Sequence, residues 1–198
     1  MPPKTKMTGE TIVEAAFQIA RDEGYEKINA RAVAEKLNCS TQPVLYQFST
    51  IEALKLAAYQ RADAFHTAYI MDVRGRYASP MLEIGLLYIQ FADKEPNLFR
   101  FLFQSNRFSN RKLSDLMDDV ELEPILRTLA LAINTDVSQA KEIFIGVFLL
   151  AHGLASMLAN NAMHYDETQA IRLLQSALRG LIYSMEEGAD HGKDETQK

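Results

Sequence analysis

The stretch Asn29 to Phe48, NARAVAEKLNCSTQPVLYQF, constrains this chain more than any other, because it reads as two short helices joined by a tight turn. Asn29 is a favourable helix N-cap, and Ile28 before it can pack on Val33 as a hydrophobic staple. Val33, Ala34 and Leu37 share one face of the helix that follows. Asn38-Cys39-Ser40 leaves room only for a tight turn. Ser40 can cap the second helix, which opens Thr41-Gln42-Pro43 with proline in its first turn. Helical spacing puts Val44, Leu45 and Phe48 on one arc and Gln42, Pro43, Tyr46 and Gln47 on the opposite one. Short helices around a tight turn, with hydrogen-bonding side chains left outside, are what docking in a DNA major groove requires. An ordinary helical hairpin would give the same pattern.

At 198 residues the chain has the length of one large domain or two small ones. Its 47% hydrophobic content supports a real core. No run approaches the roughly 18–20 apolar residues of a membrane span, so no membrane partner is expected. Met1 to Glu10 carries lysines without an apolar segment and is not expected to be a signal peptide. One cysteine excludes an internal disulfide and any multi-thiolate metal site. A cytoplasmic location is the natural expectation. The net charge of −5 does not advertise nucleic-acid binding. Up to Arg61 there are eight Lys/Arg against seven Asp/Glu, and beyond it 13 against 19, so the acid lies outside the DNA-reading candidate. A head this weakly basic gains little from counterion release, and two copies are needed for tight binding.

Helices are expected nearly everywhere. Thr8 caps the first, with Ile12, Ala15, Ala16, Ile19 and Ala20 at helical spacing and Gly24 just past its end. Ser49-Thr50-Ile51-Glu52 reads as a capping box that opens a long helix. Pro80, Pro96 and Pro124 punctuate helices over about 80–93, 95–105, 111–119 and 123–133. No segment alternates convincingly with period two. The expectation is an all-α chain. A three-helix head (1–50, with the helix-turn-helix at about 29–48) is followed by a connecting helix (51–75). A helical ligand-binding and dimerisation bundle (76–187) and a disordered tail (188–198) complete it.

Two helices near the end stand apart. Residues 137–160 carry two adjacent apolar stripes, wider than one buried face needs, and 166–186 repeat the theme. One stripe of each can face the subunit's own core and the other a second copy, in a four-helix homodimer interface. Leu154, Leu158, Leu174, Leu178 and Leu181 are the expected interface residues. Burial of both helices within their own domain is the alternative.

With these pieces in place, residues 8–54 resemble the TetR family of transcriptional regulators without a gap. The family's head pattern is matched by Ile12-Val13-Glu14-Ala15-Ala16, Gly24-Tyr25, Arg31-Ala32-Val33-Ala34, Cys39 through Phe48, and Glu52-Ala53-Leu54. Two positions depart from it. Leu45 stands where the family has a phosphate-contacting tyrosine, and Ile51 where a lysine commonly meets the backbone. The resemblance implies a repressor that binds double-stranded operator DNA through Asn29, Arg31, Thr41, Gln42, Pro43, Tyr46 and Gln47. It also implies release by a small apolar or amphipathic effector in the body, with Phe91, Phe99, Phe103, Met117, Phe144, Phe148 and His152 as lining residues. Read from spacing alone, those aromatics are core.

The other chemistry-capable residues have plain explanations. Cys39 sits in the turn as a small packed hydrophobe. His66, His152, His164 and His191 show no metal-ligand spacing, and His66 within the connecting helix is expected to be solvated or capping. No phosphate-binding glycine loop or nucleophile elbow is present, and Asp115, Asp118 and Asp119 read as a solvated face. Neither an enzyme nor a metal or cofactor site is expected. A helical ligand-binding or scaffold dimer that has lost DNA reading is the alternative, motivated by Leu45, Ile51 and the acidic balance.

Overall fold

The computed structural model describes residues 7–77, 79–105, 122–161 and 163–194, with side chains as far as Met185. Among them every regular element is helical, as expected. They are α1 (Gly9–Glu23), a 3-10 turn (Tyr25–Lys27), α2 (Ala30–Lys36), α3 (Gln42–Gln47), α4 (Ile51–Ile70), α5 (Pro80–Lys94), α6 (Pro96–Phe103), α7 (Glu123–Ala132), α8 (Val137–Asn160) and α9 (Glu167–Asp194). The helix expected at 111–119, with Met117 and the three aspartates, lies outside the described residues. The helix ending the chain runs on to Asp194 instead of giving way to a tail at 188.

The chain divides into two compact units: Met1–Asp72 with Phe91–Arg107, and Val73–Gln90 with Phe108–Lys198, in their described parts. This boundary differs from the sequence expectation, since α4 and α6 belong to the first unit and not to a separate connector and body. The cause lies on α1. Phe17 widens its buried stripe of Ile12, Ala15, Ala16, Ile19 and Ala20 beyond what the short α2 and α3 cover, and α4 and α6 pack on it as well. Tyr25 stacks on Phe101 with centroids 5.0 Å apart, and the Tyr59 hydroxyl donates to the Leu102 carbonyl at 3.2 Å. Arg21 forms a forked ion pair with Glu95. Arg61 pairs with Glu14 at 2.9 Å while its guanidinium lies 4.5 Å from the Phe17 ring centroid.

In the second unit α8 packs on α7 and α9. Leu129, Ala130, Ala140 and Ile143 form a buried cluster, covered by Phe144, Leu178, Leu181, Ile182 and Met185 among others. Small residues let the helices approach closely: a Cβ on Gly146 would lie 2.6 Å from Leu181 Cδ1. α8 is also long and apolar enough, by length and composition, to cross a membrane. This corrects the expectation that no segment qualifies, because scattered Gly, Ser and His dilute the apolar character of this helix without removing it.

Candidate functional site

The helix-turn-helix is built by local backbone chemistry. Asn29 caps α2, its side chain accepting from the Ala32 N–H at 2.9 Å while its amide donates to the Lys27 carbonyl at 2.9 Å. Asn29 therefore holds the helix start, and that work occupies the amide expected to meet DNA. α2 ends in a Schellman arrangement. The Cys39 N–H reaches the Ala34 carbonyl at 2.9 Å, and the Asn38 N–H reaches Glu35 at 3.0 Å. Asn38 sits between them at φ +51°, a left-handed conformation that asparagine tolerates. Cys39 is thus fixed by its place in the cap.

α3 begins at Gln42, with Pro43 in its first turn. The expected cap does not form: the N-cap position is Thr41, not Ser40, and no side chain accepts there. The capping box at Ser49 is likewise displaced by one residue, since Thr50 accepts from the Ala53 N–H at 3.1 Å. Val44 is buried, and Thr41, Gln42, Tyr46 and Gln47 are exposed, with Tyr46 at 86%. Pro43 is half-buried. Leu45 departs from the expected inward arc, for it is 56% exposed. A six-residue helix has one buried corner, and Val44 takes it. The outward face thus gathers Gln42, Leu45, Tyr46 and Gln47, with amides and a phenol available to base edges and phosphates.

Three cations of the first unit, on α2 and α4, are paired with acids. Arg31 meets Glu35 at 2.9 Å, Lys36 meets Asp22 at 3.3 Å, and Lys55 meets Glu52 at 3.9 Å. Such exposed pairs stabilise by about 1 kcal/mol at most, so an approaching phosphate can take the cation over.

The expected lining residues fall in two places. Phe91, Phe99 and Phe103 belong to the first unit, where Phe91 and Phe99 are fully buried. Between Phe91 and Phe103 lies His66, with ring centroids at 4.8 and 5.2 Å. His66 is 7% exposed, which overturns the solvated reading, and burial lowers its pKa to about 4. Phe144, Phe148 and His152 gather in the second unit with Tyr88, which sequence reasoning missed. One set thus packs the first unit and the other lines α8. Helical spacing could not divide them, because it gives faces but not neighbours.

The expected interface leucines divide as well. Leu174 is buried, and Leu178 and Leu181 pack on the second unit's own core cluster. Leu154 and Leu158 are half-buried. Leu149, Gly153 and Met157 are exposed, four residues apart on one face of the C-terminal half of α8. The exposed stripe of α8 therefore lies beside the expected one.

A crystal structure of a TetR-family transcriptional regulator from Streptomyces coelicolor matches this architecture with a TM-score of 0.65, over 94% of this chain and 83% of that one. The fold is that of a TetR-family regulator. The two chains share 14% of their residues, so the likeness is one of fold. No protein-family model matches the sequence, and no curated protein does. Within this fold, the helix-turn-helix of this chain presents Gln42, Tyr46 and Gln47, with Leu45 among them, on the exposed face of α3.

Proposed function

We propose that this protein is a TetR-family member, a sequence-specific DNA-binding transcriptional regulator that acts as a repressor released by a small apolar or amphipathic effector. The observation that carries the reading is the exposed face of α3, where Gln42, Tyr46 and Gln47 project from a helix anchored through Val44. Gln42 suits bidentate contact with adenine N6 and N7, and the Tyr46 phenol suits a phosphate. Thr41 and Arg31 add backbone contacts beside them, and Pro43 fixes the helix start.

The weakly basic head favours a homodimer, in which two heads read half-sites about 34–36 Å apart or a multiple of that. The exposed Leu149, Gly153 and Met157 of α8 are the residues assigned to the dimer contact. Effector occupancy then shifts the population between dimers whose head spacing matches the operator and dimers whose spacing does not.

One observation favours the alternative of a ligand-binding or scaffold dimer. Leu45 exposes an apolar surface where a phosphate-contacting group is expected. The test is a shift assay with DNA containing the gene's own upstream region, repeated at rising salt. A shift that weakens steeply with salt supports the regulator. Equal retention of unrelated DNA, or none, supports the alternative.

A further inference from the structure

In the second unit Tyr88 of α5 and His152 of α8 meet through a hydrogen bond of 2.7 Å between Oη and Nδ1. Tyr88 is buried, whereas His152 is only half-buried. Phe144, Phe148 and His152 follow one another at intervals of four residues along α8, all three half-buried. Their rings follow one another in a row, the first two nearly parallel and the third tilted. Phe144 and Phe148 lie 12° apart in plane with centroids 6.1 Å apart, and Phe148 and His152 lie 32° apart at 5.8 Å. Tyr88 stands beside the row, 5.6 Å from the Phe148 centroid and 6.2 Å from that of His152. The buried stripe beside it carries Ala151, Ala155 and Ala159. The row, by contrast, ends in an imidazole held by the Tyr88 hydroxyl.

We propose that this row is the effector site, with Tyr88–His152 as its hydrogen-bonding end and Phe144 and Phe148 as its flat wall. The ligand class that fits is a neutral planar aromatic compound with one hydrogen-bonding substituent. The inference rests on the effector-responsive reading above. Parallel rings offer offset stacking to a flat partner. Burial holds the His152 imidazole below its ordinary range and pushes the Tyr88 phenol up, so both are neutral at neutral pH. The pair then offers no countercharge to a charged ligand that would shed its hydration there.

The test titrates the full chain with 2-naphthol, with naphthalene as the same rings without the hydroxyl, and with 2-naphthoate as the charged counterpart, followed by probe fluorescence. The expected result is that 2-naphthol binds about fivefold more tightly than naphthalene, the effect of one added hydrogen bond. The naphthoate binds more weakly than 2-naphthol. His152→Phe keeps a ring and removes both nitrogens, and Tyr88→Phe removes only the hydroxyl. Each erases the 2-naphthol advantage, so that the two neutral probes bind the folded variant about equally, and circular dichroism confirms which variants are folded. Failure of either neutral probe to bind, an equal affinity for both, or an advantage that survives in a folded variant overturns the assignment. A chain that discriminates the probes through His152 but binds no DNA keeps this site and overturns only the regulator reading.

Discussion

Glu83 holds Arg76 at both ends, accepting from its backbone N–H at 3.0 Å and from its Nε at 3.0 Å. The same carboxylate takes the Arg74 N–H at 2.9 Å, so residues 74–76 are fastened to the first turns of α5. Glu83 itself is 0% exposed, covered by an Arg76 side chain that is half exposed. Donation from the Arg74 N–H, reinforced by Arg76, outweighs burial and keeps this carboxyl below its ordinary 4.5.

The stabilisation from Glu83 is therefore full above that value and is lost as pH falls below it. Glu83→Gln keeps the shape and removes the charge. It should lower the melting temperature at neutral pH, and the deficit should shrink as the solution is acidified through pH 4. A deficit that stays constant down to pH 3 would contradict the arrangement.

His66 acts in a higher window. Its folded pKa of about 4 lies below the ordinary 6.5, so the unfolded chain binds more protons between those values. Stability should fall as pH is lowered from 6.5 towards 4, by about 3 kcal/mol at the acid end. His66→Phe should flatten that part of the profile while leaving the Glu83 window in place. Parallel melting profiles for wild type and variant from pH 7 to 4 would sink the prediction.

Two glycines of α8 should respond oppositely to the same change. Gly146→Ala drives a methyl against Leu181 and should cost about 1–3 kcal/mol in thermal or urea unfolding. A Cβ at Gly153 meets nothing within 4 Å in the subunit, so Gly153→Ala should improve the isolated helix by about 1 kcal/mol. If Gly153 lies at the dimer contact, the same methyl should weaken dimerisation, which sedimentation at micromolar concentration reads directly. A dimer unaffected by both Gly153→Ala and Leu149→Lys would place the contact elsewhere.

The parts of this protein legible in sequence are those fixed by local chemistry. Thr8, Asn29, Asn38 and Gly24 set helix ends through their own side chains or dihedrals, so the helix-turn-helix could be read within a residue or two. Leu45 misled because periodicity assigns a half-circle to the interior, whereas a six-residue helix buries only Val44. The inclusion of α6 in the first unit was hinted at by Phe17, which broadens the apolar arc of α1. Tyr88 beside His152 and the buried Glu83 carried no such hint. Both are contacts between helices, and helical periodicity does not say which faces meet.

The central claim, that the exposed face of α3 meets DNA, is tested most directly by comparing variants on selected operator DNA across a salt series. Gln42→Ala should cost about 1–3 kcal/mol on the best site and relax preference at one base pair. Tyr46→Phe should weaken all sequences about equally. Leu45→Tyr with Ile51→Lys should tighten binding and steepen the salt dependence by up to about one counterion per head. A salt slope left flat by the double replacement, together with an unchanged base preference in Gln42→Ala, would show that this face does not touch DNA.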